Sequence, residues 1–331
     1  MSETSAVGAV CRACGEAAFA VRHDAPETMY GTGEVFAYGE CDRCASLTLL
    51  DLPDDLAPYY PDTYLSMTVD PASLGRAPLA AISAVSRSIM RAPGSAGTLQ
   101  RVLPDRRART LAVILESVAR APGPRPRHVL DVGSGSGMVP LAVSRAGSVE
   151  VLGIDPFASA DRRLGPHAEL RVMTLDEVDG AFDLVMLHHS LEHVPDPLDA
   201  LRQVRRLLAP GGCALVRVPT CSSQAWREYG IDWIQLDPPR HVWIPSRRGL
   251  NTLARRADLA VVSTYDDSGS FQFWGSEQAR RGIPLMDPRS YFVDPKRAGR
   301  SRRVLAEYTR RSRELNRVSD GDQTVVYLRA A

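Results

Sequence analysis

The sequence predicts an α/β fold: a mainly parallel sheet covered by helices on both faces, with a small cysteine-bearing module and a helical linker in front of it. Three observations lead there. From His128 onward, short apolar runs alternate with helical stretches, as in strands buried on both faces. The run His128–Pro140, H-V-L-D-V-G-S-G-S-G-M-V-P, passes from a buried strand through a glycine-rich turn into a helix. Two C-x-x-C pairs lie within the first 44 residues.

Strands are expected at His128–Val132, Val149–Ile154, Phe182–Leu187 and Cys213–Val218, with helices between them, notably Pro197–Leu208. Upstream, Leu79–Met90 is apolar at Leu79, Ile82, Val85 and Ile89, which is helical spacing, and Thr110–Ala119 is a second helical stretch. Arg120–Pro126, R-A-P-G-P-R-P, is a linker composition. The expected division is residues 1–61, 62–125 and 126–331. Neither repeats nor low-complexity tracts are evident.

Composition limits the partners. The 331 residues carry a formal net charge of +1, so bulk charge selects neither nucleic acid nor an acidic partner. Lys296 is the single lysine among 40 basic residues, which marks arginine abundance as a coding bias rather than a phosphate-binding signal. Between Arg280 and Arg317 twelve basic residues face four acidic ones. Such a segment is either a solvated helix face or a surface for a phosphate-bearing substrate. No run approaches the roughly 18–20 apolar residues of a membrane span. Met1–Val10 lacks the basic start and apolar core of a secretory leader. The expectation is a cytoplasmic protein without membrane partners, where paired cysteines serve metals rather than disulfides.

Cys11 and Cys14 are matched by Cys41 and Cys44. Two such pairs with an intervening hairpin suit a tetrahedral four-thiolate zinc site. That site has no open position, so the zinc is expected to be structural. Cys213 and Cys221 read as ordinary buried or loop cysteines.

The glycine turn discriminates among ligands. Gly133, Gly135 and Gly137 give G-x-G-x-G around Ser134, and Met138 occupies the place of the third glycine of a dinucleotide fingerprint. Asp131 lies just before the turn, where a carboxylate repels a pyrophosphate and suits a cation. The next strand, in V-E-V-L-G-I-D-P-F, ends at Asp155 and Pro156, an acid placed to accept from ribose hydroxyls.

This composite resembles the class I S-adenosylmethionine-dependent methyltransferases, with a Rossmann-like core and a seven-stranded, mainly parallel sheet. H-S-L-E-H-V-P-D-P at His189–Pro197 and L-L-A-P-G-G at Leu207–Gly212 look like signatures of that family, and the likeness covers residues 128–218 closely. It implies a third strand and its exit at Glu169–Leu175, adenine contacts at Thr174 and Leu175, and His188 at the cofactor cleft. It also implies an antiparallel finish at Leu259–Thr264 and Gln323–Leu328. A zinc module ahead of such a core resembles the sugar C-methyltransferases of antibiotic biosynthesis and methyltransferases of polysaccharide gene clusters, as does the tyrosine-rich run Tyr59–Ser66. This likeness implies a small-molecule methyl acceptor: a sugar, glycan precursor, nucleotide-sugar or natural-product intermediate. It also makes His241 the first candidate for a general base, because a histidine follows the fifth strand in those enzymes. Arg240 stands where they carry a glutamate, and this chain is shorter. Further candidates are His189, Glu192 and His193 after the fourth strand, and Tyr64 after the cysteines. Trp226, Trp233, Trp243 and Trp274 either line a pocket or anchor loops. Two other readings stay open: an RNA methyltransferase with the zinc module as a clamp, and a non-catalytic S-adenosylmethionine-binding scaffold.

Overall fold

The computed structural model describes residues 9–61, 71, 76–94, 106–147, 149–296, 299 and 301–331. Tyr64 lies outside them. The chain opens with three strands, β1 (Phe19–Pro26), β2 (Val35–Cys41) and β3 (Leu47–Leu49), then two helices, α1 (Arg76–Arg91) and α2 (Arg106–Ala119). The alternating region follows: β4 (His128–Val132), α3 (Met138–Ser144), β5 (Glu150–Ile154), β6 (Arg162–Gly165), β7 (Ala168–Arg171), β8 (Phe182–His188), α4 (Pro197–Leu207) and β9 (Leu208–Pro219). The remainder is α5 (Gln224–Tyr229), β10 (Trp243–Ile244), α6 (Arg247–Arg256), β11 (Leu259–Asp266), α7 (Phe271–Arg280), α8 (Arg302–Arg317) and β12 (Gln323–Ala330).

The large sheet runs β11-β12-β9-β8-β4-β5-β7-β6. β7, β5, β4, β8 and β9 are parallel, while β12 is antiparallel to both β9 and β11, which is the expected finish. The expectation of seven strands falls one short. β6 adds an antiparallel edge strand on β7, and its four residues, R-R-L-G, carry no apolar run to announce it. Alternation sorts the core into two layers. Leu130, Val185, Leu187, Ala214 and Val216 pack on one face with α4, α6 and the cysteine module. Val129, Leu184, Met186, Cys213 and Leu215 pack on the other with α1, α2 and α3.

Local chemistry explains the helix that follows the fourth parallel strand. Asp196 caps α4, its side chain accepting from Asp199 N–H at 3.0 Å, and Pro197 occupies the first turn. Ala200, Leu201, Val204 and Leu207 form its buried stripe, and Arg205 and Arg206 close its carbonyl end.

The N-terminal strands do not stand alone. They form a four-stranded sheet in the order β1-β2-β3-β10, with Trp243 paired to Thr48 and Ile244 to Leu47. The cysteine module is thus stitched to the loop that leaves the fifth parallel strand.

Candidate functional site

The C-terminal ends of the parallel strands open into one cavity of about 1690 Å³. A pocket for one small ligand occupies roughly 300–1,000 Å³, so this cavity has room for two molecules.

At one end lies the glycine turn. Gly133 has φ +76, and a Cβ there would meet Ser190 Cβ at 2.6 Å; at Gly137, with φ +89, it would meet Leu164 Cδ1 at 2.7 Å. Both positions therefore demand glycine. Asp155, one residue past β5, accepts from Gly135 N–H at 2.7 Å and from Phe157 N–H at 2.9 Å. It lines the cavity with acceptor capacity left on each oxygen. Pro156, Thr174, Leu175 and His188 line the same end. Both ring nitrogens of His188 are buried without a partner among the described residues. Burial, then the charge of Arg217, holds His188 well below the usual histidine range, so the ring is neutral.

Asp131 departs from the expectation of a contact to a cationic ligand. Strand alternation turns it to the Val129 face, beneath the turn, where it is 2% exposed and accepts from Ser134 Oγ at 2.8 Å. Burial pushes its carboxyl up to about 7. Asp131, Ser134 and Gly137 shape the turn from below, whereas Gly133, Gly135 and Ser136 line the cavity.

At the other end three candidates converge. Glu192 and His193 lie on a 3₁₀ turn, Leu191–His193, just after β8, and His241 lies just before β10. One ligating atom from each falls within 4.8 Å of the others. His241 Nδ1–H donates to the Gln235 carbonyl at 2.7 Å, so in the neutral ring Nε2 carries the lone pair. That Nε2 is 4.0 Å from both Glu192 Oε1 and Asp237 Oδ2. His193 Nδ1–H donates to the Arg240 carbonyl at 2.9 Å, with Tyr60 Oη also 2.9 Å away. Burial, aided by His241, pushes His193 down to about 4.

His189 is placed differently. Its Nδ1 faces Glu192 Oε1 at 2.9 Å and its Nε2 faces Gln323 Oε1 at 2.6 Å. Gln323 Nε2 donates to Asp267 Oδ1, which fixes the amide with its oxygen toward His189. Both ring nitrogens of His189 are thus committed to partners within the protein. Burial alone would raise the Glu192 carboxyl. The His189 hydrogen bond and charge, with His193 and His241, hold it instead at about 2.

Arg240 does not reach the cavity. It is fully buried, donating to Asp237 Oδ1 at 2.6 Å and to Glu27 Oε1 at 2.6 Å. The tryptophans anchor loops rather than line the cavity: Trp243 Nε1 donates to the Leu191 carbonyl at 2.9 Å and Trp233 Nε1 to Asp322 at 3.1 Å. On the basic C-terminal helix α8, Arg310 pairs with Glu307 and Glu314 and Arg311 with Glu228, away from the cavity.

The four cysteine sulfurs lie within 4.8 Å of one another, with Cys11–Cys44 and Cys14–Cys41 each at 3.5 Å. Zn–S bonds of about 2.3 Å in a tetrahedron place sulfurs about 3.8 Å apart, so the donor set fits zinc. Cys213 is core, and Cys221 Sγ donates to the Ala45 carbonyl at 3.1 Å.

Sequence reasoning passed over four cavity residues. Tyr60 meets His193, and Arg217 Nε donates to Asp267 Oδ2 at 2.7 Å beside Gln323. A usable signal existed for one of them, since Arg217 is the only charge within the core strand run Cys213–Val218.

Residues 100–264 match the family described as "Methyltransferase domain". Among curated relatives, the ubiquinone biosynthesis O-methyltransferase of Alkalilimnicola ehrlichii is 37% identical over 156 residues, 41% of this chain and 62% of that protein. The protein of the same name from Paracidovorax citrulli is 30% identical over 156 residues, 42% of this chain and 65% of that one. That of Pseudomonas paraeruginosa is 39% identical over 97 residues, 26% of this chain and 41% of that one. This chain therefore spans less than two thirds of the length of each. Among solved structures, the CcbJ methyltransferase from Streptomyces caelestis is 14% identical, covering 62% of this chain and 84% of that one, with a TM-score of 0.37. Residues 100–264, which carry the glycine turn and Asp155 at the mouth of the mainly parallel sheet, are thus similar to a methyltransferase domain.

Proposed function

We propose that the protein is an S-adenosylmethionine-dependent methyltransferase acting on a small molecule, with His241 as the general base. The observation that carries this reading is the cavity itself, with Asp155 and the glycine turn at one end and His193 and His241, backed by the buried Glu192, at the other. The cofactor supplies an electrophilic methyl group when bound. Gly133, Gly135, Asp155, Pro156, Thr174, Leu175 and His188 are the residues that would hold it. On the acceptor side, His241 Nε2 takes the proton that the methyl group replaces. Glu192 and Asp237, each 4.0 Å away, balance the imidazolium that forms. Burial pushes His193 down to about 4, and its Nδ1–H is already given to the Arg240 carbonyl. The relatives' names favour oxygen over carbon as the acceptor atom. A sugar, glycan or natural-product hydroxyl fits this reading. A nucleotide-sugar fits less well, because Arg217 is committed to Asp267.

A second reading rests on Glu192 Oε2, which is buried without a partner among the described residues. Glu192, His193 and His241, each with a ligating atom within 4.8 Å of the others, would complete a two-histidine, one-carboxylate site for a divalent cation, with both histidine Nδ1–H groups already held by carbonyls. Turnover that requires added magnesium or manganese selects this reading. Turnover indifferent to them selects direct proton transfer.

Residues 1–61 serve as a structural zinc module in this proposal, 62–125 as linker and lid, and 126–331 as the catalytic domain. Elemental analysis of the purified protein is expected to give one zinc per chain, lost in Cys41→Ser. A stoichiometry near zero overturns the zinc assignment. For the cofactor, Asp155→Ala is expected to weaken S-adenosylmethionine binding by roughly 1.5–3 kcal/mol for each charge-assisted bond removed. Calorimetry on a variant shown by its melting curve to be folded checks this, and an unchanged Kd removes Asp155 from the site.

A further inference from the structure

Residues 237–244 are fastened to the β1–β3 hairpins through Glu27, Tyr38 and Leu49, none of which lines the cavity. Tyr38, fully buried on β2, donates its hydroxyl to the His241 carbonyl at 2.6 Å. Glu27, at the turn after β1, accepts from Arg240 Nη2 at 2.6 Å, one residue before His241. The Leu49 N–H donates to the Val242 carbonyl at 3.0 Å, one residue after it. The β3–β10 pairing begins at the next residue.

Glu27 is a fixed anchor. Its carboxylate also collects the N–H groups of Met29 at 3.0 Å, Tyr30 at 2.9 Å and Gly31 at 2.7 Å, so it cannot follow Arg240 if the loop moves. From the front, the same stretch is held by the turn after β8. The Val242 N–H donates to the Glu192 carbonyl at 3.0 Å, and His193 donates to the Arg240 carbonyl. His241 is thereby held between two clamps, which set the distance of its ring from Glu192 and Asp237.

We propose that Glu27 and Tyr38 are positioning residues for His241, acting through the Arg240 guanidinium and the His241 carbonyl. The consequence for turnover rests on the reading of His241 as the proton acceptor; the consequence for the ring does not. Neither residue touches the cavity, so their effect falls on the acceptor side and spares cofactor binding. Displacing a reacting group by about 1 Å can cost about 10²-fold in rate, and a loss of about ten- to a hundredfold in kcat is expected for Tyr38→Phe.

The test is ¹⁵N NMR of the histidine rings in the full chain, with the His241 signals assigned by their disappearance in His241→Gln. In the unsubstituted protein His241 is expected as the Nδ1–H tautomer. In Tyr38→Phe and Glu27→Gln its signals are expected to move toward the averaged values of a free imidazole. The exposed His128 and His167 should keep theirs, and S-adenosylmethionine affinity by calorimetry should stay within about twofold of the unsubstituted value. Unmoved His241 signals in folded Tyr38→Phe overturn the proposal whatever the activity does. Should Glu27→Gln not fold, Tyr38→Phe, which keeps the buried ring, decides alone. In kinetics, Tyr38→Phe should add no further loss to His241→Ala; an additive loss also overturns it. Full turnover in His241→Ala would remove the base assignment while leaving the positioning result standing.

Discussion

His241→Ala is expected to lower turnover by about 10²–10⁴-fold, the usual cost of a lost general base, with S-adenosylmethionine affinity nearly unchanged. The ring is equipped for proton transfer. Its Nδ1–H is held by the Gln235 carbonyl, its Nε2 lone pair is turned toward Glu192, and two carboxylates 4.0 Å away wait to balance the charge. Steady-state kinetics with an identified acceptor, alongside calorimetry with the cofactor, separates the two effects. Near-normal turnover in His241→Ala would reject the role and pass it to His193 or Glu192. Loss of cofactor binding together with turnover would mean that the substitution had disturbed the whole cleft.

The second large effect is expected in stability. Arg240→Leu should destabilise the fold by about 3–5 kcal/mol, because it leaves buried carboxylates without their cation. Arg240 and Glu27 have fully buried side chains at 2.6 Å, and Asp237 on the other side is also buried. Burial would raise the Asp237 carboxyl, and the charge and hydrogen bonds of Arg240 bring it down instead. Urea unfolding measures the effect, with Arg310→Ala as the control. Arg310 is an exposed partner of Glu307 and Glu314 on α8, and its loss should leave the midpoint in place. If Arg240→Leu matched that control, the buried triad would contribute nothing to the fold.

Much of the architecture was legible because it depends on local pattern. The strand–turn–helix run at His128–Pro140 announces itself through apolar residues followed by glycines that the backbone requires, and β5 ending at Asp155 follows the same logic. The cysteine spacing was equally readable, since two knuckles on a hairpin need only short-range geometry. β6 was not, because a four-residue edge strand reading R-R-L-G carries no apolar alternation. β9 begins at Leu208, five residues before the expected Cys213, where an irregular register continues pairing with β8 through a Pro-Gly-Gly segment.

Residue types near the reaction were also readable, and their roles were not. His189, Glu192, His193 and His241 stood out as chemistry-bearing groups next to strand ends. Only the tertiary structure separated them. Glu192 and Gln323 hold both ring nitrogens of His189, the Gln235 carbonyl leaves His241 with its lone pair, and burial takes His193 down to about 4. Asp131 illustrates the reverse, since a position beside the glycine turn suggested ligand contact and strand alternation turned it underneath. The sequence by itself determined the parallel strands, the glycine turn and the thiol pairs, because each of those is announced by residues a few positions apart. The tertiary structure set the hydrogen-bond partners of each histidine and tied the cysteine module to the His241 loop. Those outcomes depend on partners up to about two hundred residues distant, such as Tyr38 and Glu27, whose contacts no local pattern encodes.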